Sequence, residues 1–432
     1  MKFKKILVSL MALAVAGSTI VGCSSTNKED KTTKDGEAKK VTVWCWDKAF
    51  NGAALQIAEE IYKKDHPDFQ LDIVDMSKVD LEQKLNTNLV SGVEDGLPDI
   101  VLANDINVNK YVNSYQGAFV DLSGSVNLND FAKYKVDGIT VDGKTYAVPF
   151  DIGSAGMFYR RDYIEKAGFT SKDLENITWD RYIEIGKVVK EKTGYNMLTI
   201  TPSDDVLIPL MLTSAGSWFI TKDNKGNFEN NPVLTEALNT YKKIYDADIA
   251  KPVTGWSEFV SSFNNGDVAT VISAVWQIPT IMQEKSQSGK WGIAQLPRLN
   301  VSGAKNASNE GGSSWMVLES SKSKKTAIDF LAKTIGGSSD FYSQFLTKNG
   351  GVGSYTKAFE SEAYKQPVEF FGGQKVYQEF AEWSKEIPAS VVGMYSHEGR
   401  EAIRQEIPNI VNGANIQDSL KNAQKLYEQQ TK

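Results

Sequence analysis

The sequence predicts an α/β protein built as two domains, and three observations carry that expectation. Past residue 40, short apolar strands alternate with amphipathic helices of about 10–15 residues, the pattern of βαβ units around a parallel sheet. At 432 residues the chain is longer than one hydrophobic core usually supports. With 41% hydrophobic and 10% aromatic residues it has ample material for packed cores and is not a disordered polymer.

Val41-Thr42-Val43-Trp44 is the first strand. Asn51 to Asp65 follows, with Leu55, Ala58, Ile61 and Tyr62 at helical spacing. Leu71-Asp72-Ile73-Val74 is a second strand, and Val79 to Val90 a second helix with Leu81, Leu85 and Leu89 on one face. Leu97 to Leu102 gives a third strand. Near Gly138 the pattern changes to turns, and Asp142-Gly143 between apolar residues is a hairpin signal before the strand Tyr146 to Phe150. Helices fit 162–167, 179–193, 203–215, 232–247, 324–335 and 416–429; strands fit 268–274, 292–296 and 314–318. Asp223 to Asn227 is polar but lacks the alternating acids and distal Glu of a calcium loop, so it reads as a hairpin tip. No internal repeat stands out.

Forty-eight Lys and Arg oppose 54 Asp and Glu, a net charge of −6. That balance argues against a nucleic-acid binder, which needs cationic surplus to displace counterions. Two His and two Cys leave little for a zinc site, an iron–sulfur cluster or a disulfide framework. No metal or cofactor is expected.

Residues 1–22 read as an export signal. Lys2, Lys4 and Lys5 precede an apolar run, Ile6 to Gly22, which is short for a membrane span of about 20 residues. The run ends Ile20-Val21-Gly22-Cys23, which resembles the lipobox of bacterial lipoproteins and marks Cys23 for lipid attachment. Cleavage there leaves 45 basic and 54 acidic residues, a net charge of −9, with Cys45 the single free thiol. Residues 23–40 hold no large apolar side chain and read as a flexible tether. The expected location is the outer face of the bacterial cytoplasmic membrane, lipid-anchored.

Enzyme motifs are scarce. There is no phosphate-binding Gly-x-x-x-x-Gly-Lys loop, and Gly311-Gly312-Ser313-Ser314-Trp315 lacks the closing Gly of a nucleophile elbow. His66 and His397 lie far apart and read as surface or capping residues. Cys45, between Trp44 and Trp46 on a strand, reads as a small buried hydrophobe. The nine Trp are more suggestive. Trp46-Asp47, Trp276-Gln277 and Trp315 sit beside small or polar residues near strand ends, where ligands gather in doubly wound proteins. A ring face beside acids and amides suits a sugar, whose C–H faces stack while its hydroxyls donate. Core packing is the competing reading, and Trp179, Trp291 and Trp383 are assigned to it. Asp99, Asn104, Asp105 and Asp151 divide between helix capping and ligand contact. Two such acids could also serve a glycosidase, whose carboxylate separation a sequence does not supply.

Taken together, the segments resemble the solute-binding lipoproteins of carbohydrate ABC transporters, in the extracellular family that includes maltose-binding protein. The likeness runs from Val41 to the C-terminus through segments in fixed order. They are Val41 to Asp47, Gly96-Leu97-Pro98-Asp99-Ile100-Val101, Gly143 to Pro149, and Phe158 to Asp162. Thr178-Trp179-Asp180, Phe263 to Ala269 and Gly311 to Trp315 complete the set.

The resemblance implies a two-lobed, periplasmic-binding-protein-like fold whose hinge has about three crossovers, near Pro149–Ile152, Ile293–Pro297 and Ile335–Ser338. Residues 41–149 with 296–335 would form the N-terminal lobe, and 150–295 with 336–432 the C-terminal lobe. It implies an oligosaccharide-binding monomer, not an enzyme, that delivers its sugar to permease subunits. Carried over residue by residue, the implied contacts are Trp46, Asp47, Asn104, Asp105, Asp151, Trp276, Gly312, Ser313, Trp315 and Tyr395. Cys45 departs from the small residue the family places there. A secreted glycoside hydrolase or lyase, or a binder of a polyamine, peptide or metal chelate, are the rival readings.

Overall fold

The computed structural model describes residues 39–201, 206–389, 391 and 393–432. The expected signal segment, Cys23 and the tether up to residue 38 lie outside the described residues.

Two principal sheets carry the fold. In the first, the order is Gln70–Asp75, Lys40–Cys45, Ile100–Asn104, Ser313–Val317 and Val148–Pro149. The first three strands are parallel and are joined through the helices Ala53–Tyr62 and Lys78–Ser91, as the alternation predicts. Ser313–Val317 enters antiparallel between Ile100–Asn104 and Val148–Pro149. Side chains alternate between two buried faces. Val41, Val43, Cys45, Ile100 and Leu102 meet Leu55, Ala58 and Phe330 on one side. Trp44, Val101, Ala103 and Met316 meet Leu81, Leu85 and Val108 on the other. Burial on both faces is why Ile100-Val101-Leu102-Ala103 reads as an unbroken apolar run.

The second sheet is antiparallel, unlike the βαβ start of the first. Its central strand, Ser154–Arg160, is buried throughout and has antiparallel neighbours, Thr270–Ala274, Trp291–Gln295 and the short Ser308–Asn309. The sequence Ser-Ala-Gly-Met-Phe-Tyr-Arg mixes small and charged residues, so neither alternation nor a continuous apolar run reveals it. Gly156 lets the helix Val376–Ser384 lie directly on this strand: a Cβ there would stand 2.8 Å from Phe380 and 2.9 Å from Trp383.

The chain first passes between the sheets from Pro149 to Ser154; the resemblance implied a crossover near Pro149–Ile152. The return lies at Asn309–Ser313, which corrects Ile293–Pro297. Trp291–Gln295 is an edge strand of the second sheet, paired with Ser154–Arg160, and Leu296 and Leu299 are buried in the core packed on that sheet. Asn306 then ties the segment down by donating to the carbonyls of Ile177 and Leu296 at 2.8 and 2.7 Å. The last passage also falls later than Ile335–Ser338. Thr356 Oγ1 still donates to the Asp130 carbonyl on the first side, whereas Gln374 bonds the Ile293 backbone on the second. Phe341 and Phe345 explain the delay, since both rings pack on Phe150 and hold their helix, Ser339–Asn349, to the first part.

Smaller features match the sequence. Asp142 and Gly143, at φ 50° and 77°, turn the hairpin from Thr140–Val141 to Lys144–Thr145. Thr221 and Lys225 pair across the polar tip at Asp223 to Asn227. Among the described residues, no helix is long and apolar enough to cross a membrane, and no three His, Cys, Asp or Glu cluster to hold a metal.

Candidate functional site

A cleft of about 560 Å³ opens between the parts of the fold built on the two sheets. Asn104, Asp105, Lys110 and Tyr134 line it from the first side; Trp218, Trp276, Glu310, His397 and Arg400 line it from the second.

The first wall starts at the carboxyl end of the strand Ile100–Asn104. The chain turns there into the helix Asp105–Ser114, and the Asn104 side chain caps it by accepting from the Ile106 N–H at 3.4 Å. Asp105 follows, with its carboxylate 13% exposed and so still able to meet a ligand. Its Oδ1 accepts from Ser314 Oγ at 2.6 Å and its Oδ2 from Lys135 Nζ at 2.5 Å. Lys135 is fully buried and also donates to the Ser313 carbonyl at 2.7 Å. Ser313 in turn donates its N–H and hydroxyl to Asp151 Oδ1, at 2.7 and 2.6 Å. Burial pushes the Asp105 carboxyl above the ordinary carboxylate range; the Lys135 ammonium and the Ser314 hydroxyl act against the rise, and the Asp151 charge adds to it.

This network joins the end of one strand to two of the three chain passages. Gly312 allows it: its φ is 96°, and a Cβ would fall 2.8 Å from Asp105 Oδ2 and 3.3 Å from Lys135 Nζ. The Gly312 carbonyl accepts the Asp105 N–H at 3.2 Å.

The second wall is aromatic. Trp276 stands in a 3₁₀ turn, Val275–Gln277, just after the strand Thr270–Ala274. Its indole N–H donates to the Glu310 carbonyl at 3.1 Å, which fixes the ring, and Trp256 packs against it at 6.1 Å between centroids. The Trp218 indole N–H is buried, and no acceptor for it is found among the described residues. Lys110 and Glu398 form an ion pair of 2.5 Å between the two sides. A smaller cavity of about 180 Å³ shares Val206, Trp276 and Glu310 with the cleft.

Of the residues singled out from sequence, Asn104, Asp105 and Trp276 line the cleft, and Asp151, Gly312 and Ser313 stand behind its first wall. Four do not gather there. Trp315 is corrected outright: alternation along its strand sends Ser314 to Asp105 and Trp315 to the opposite face, fully buried against Phe150 at 5.5 Å. Asp47 is exposed at φ 59° and caps the turn Lys48–Gly52 by accepting from the Phe50 N–H. Trp46 packs at the margin of the two first-sheet cores, with Lys78 Nζ 5.8 Å from its ring centre. Tyr395 packs against the second core, 6.5 Å from Tyr427, while His397 and Arg400 beyond it reach the cleft. Cys45 is buried, and burial with two nearby acids pushes its thiol up to about 12. Asp99 is structural, accepting from the Thr42 N–H and Ser321 Oγ.

Lys135, Trp218, Glu310 and Arg400 escaped the sequence reading. Lys135 lies in a Lys-Tyr-Lys stretch that looks solvated, and nothing local signals that one of the two lysines is buried.

Residues 58–372 match the family of bacterial extracellular solute-binding proteins. The chain belongs to this family. Among related solute-binding proteins, the Lactose-binding protein of Rhizobium radiobacter is 45% identical over 384 residues, covering 89% of this chain and 91% of that one. The Arabinooligosaccharide-binding protein of Bacillus subtilis (strain 168) is 27% identical over 342 residues, covering 76% and 74%. Two solved structures share the fold. The galacto-N-biose-/lacto-N-biose I-binding protein of Bifidobacterium longum superposes with a TM-score of 0.73 at 23% identity, covering 92% of this chain and 98% of its own. The GacH receptor of Streptomyces glaucescens does so with a TM-score of 0.75 at 20% identity, covering 90% and 97%. The two-lobed α/β architecture of extracellular solute-binding proteins is therefore the architecture of this chain.

Proposed function

We propose that this protein captures a short oligosaccharide, with lactose as the representative ligand, and presents it to the permease of an ABC importer. The observation that carries the reading is the pairing of Trp276 with Asp105 on opposite walls of one cleft. A ring face takes the apolar side of a pyranose, while a carboxylate takes its hydroxyl protons. The 45% identity to a lactose-binding protein supports a β-galactoside over other sugars.

One lobe is built on the first sheet, the other on the second. A sugar touching both walls stabilises the closed arrangement by its differential contacts, and the permease recognises that shape. The passages at Pro149–Ser154 and Asn309–Ser313 act as hinge segments, with Cys23 as the lipid anchor outside the membrane. Of the acids singled out from sequence, Asp151 is buried, engaged twice by Ser313 and not among the cleft-lining residues, which removes it as a partner for Asp105 in a glycosidase pair.

Titrating lactose into the protein by calorimetry, then chromatographing the sugar, tests this. Saturable binding near micromolar, about −8 kcal/mol, with lactose recovered intact is expected. Release of galactose and glucose overturns the transport reading.

A further inference from the structure

The helix Asp105–Ser114 belongs to the first lobe, where its Val108 and Tyr111 are buried. Two other residues of this helix, Ile106 and Lys110, stand one turn apart and meet the second lobe. Ile106 packs against the second core, and Lys110 Nζ donates to Glu398 Oε1 at 2.5 Å. Glu398 is braced from behind. Its helix, Ser396–Arg404, buries Ala402 and Ile403 in the second core. Gly399 lies so close to that lobe that a Cβ there would stand 2.9 Å from Ile220 and 3.0 Å from Phe219. Ile106 and Lys110 line the cleft, whereas Glu398 is not among its lining residues.

This bridge is poised between contact and separation. The Lys110 and Glu398 side chains are 37% and 18% exposed, so dissolved salt weakens their attraction. Glu398 Oε2 is buried and finds no partner among the described residues, a desolvation cost that subtracts from the gain at Oε1. When a ligand needs the closed state, its apparent affinity scales with the fraction of molecules already closed. A residue that shifts this fraction therefore changes affinity without touching the ligand.

We propose that Lys110 and Glu398, with Ile106 beside them, form a latch that draws the two lobes together before any ligand arrives. Glu398 is then a positioning residue that sets affinity through closure. The proposal goes beyond the sugar-binding reading and rests on the two-lobed fold alone. The test is small-angle X-ray scattering of the unliganded protein, with lactose then titrated calorimetrically. It compares the wild type, Lys110→Glu, Glu398→Lys and the exchanged pair Lys110→Glu/Glu398→Lys. Each is measured at about 0.1 M and about 1 M sodium chloride, which shortens the screening length from about 10 to about 3 Å. Either single variant sets like charges together, and a larger radius of gyration at low salt is expected. The exchanged pair returns the radius to the wild-type value, and high salt moves the wild type towards the single variants. Lactose affinity falls about fivefold in the single variants and recovers in the exchanged pair. Equal radii in all four proteins overturn the latch, and an affinity loss that accompanies them assigns Lys110 to direct ligand contact instead. Radii that stay raised in the exchanged pair overturn it as well, in favour of general loosening. If lactose does not bind the wild type, the sugar-binding reading has failed, while the radii still decide the latch.

Discussion

The two walls of the cleft are built on opposite principles. The first is a closed polar network: Asp105, Lys135, Ser313, Ser314 and Asp151 are joined by bonds of 2.5–2.7 Å, and the ammonium is fully buried. The second is a run of rings, Trp276, Trp256 and Phe259, held by one indole hydrogen bond and mutual contact. Buried charges cannot be removed singly without leaving a partner unpaired, whereas a half-exposed ring can be cut back with little consequence for the core. On the proposed function, the first wall is expected to couple binding to the integrity of the chain passages, and the second to contribute affinity nearly independently of the fold.

Lys135→Met strains that contrast most. It leaves the Asp105 carboxylate without its buried ammonium, and a loss of about 3–5 kcal/mol in unfolding free energy is expected by urea titration. Trp276→Ala is expected to do the reverse. Lactose affinity falls at least tenfold, about 1.4 kcal/mol, while stability stays within about 1 kcal/mol of wild type. Equal stability losses in the two variants would erase the distinction between the walls.

The same contrast governs what could be read from the sequence. Periodic elements were legible because burial imposes period: the helix Trp179–Thr193 lies where predicted, with Thr178 capping it through the Arg181 N–H. Trp276 and Asp105 were legible because each follows a recognisable strand. Ser154–Arg160 was not, since Ser154 and Gly156, two of its three small residues, answer to a helix packed from elsewhere in the chain. Lys135 was not, because its partners Asp105 and Ser313 lie 30 and 178 residues away. Trp315 misled because a Trp next to Gly and Ser looks like a ligand loop, when strand parity alone decides which way it points. The crossovers rested on the family resemblance alone, and the sequence could not check it: an apolar run ending in Pro, such as Ile293 to Pro297, has the same local signature whether it leaves a lobe or finishes its core.

A crystal structure of the protein grown with lactose tests the central claim most directly. The account predicts one disaccharide in the 560 Å³ cleft, a pyranose face on the Trp276 ring and a hydroxyl within hydrogen-bond distance of the Asp105 carboxylate. A sugar held by one wall only, or bound outside this cleft, would contradict it.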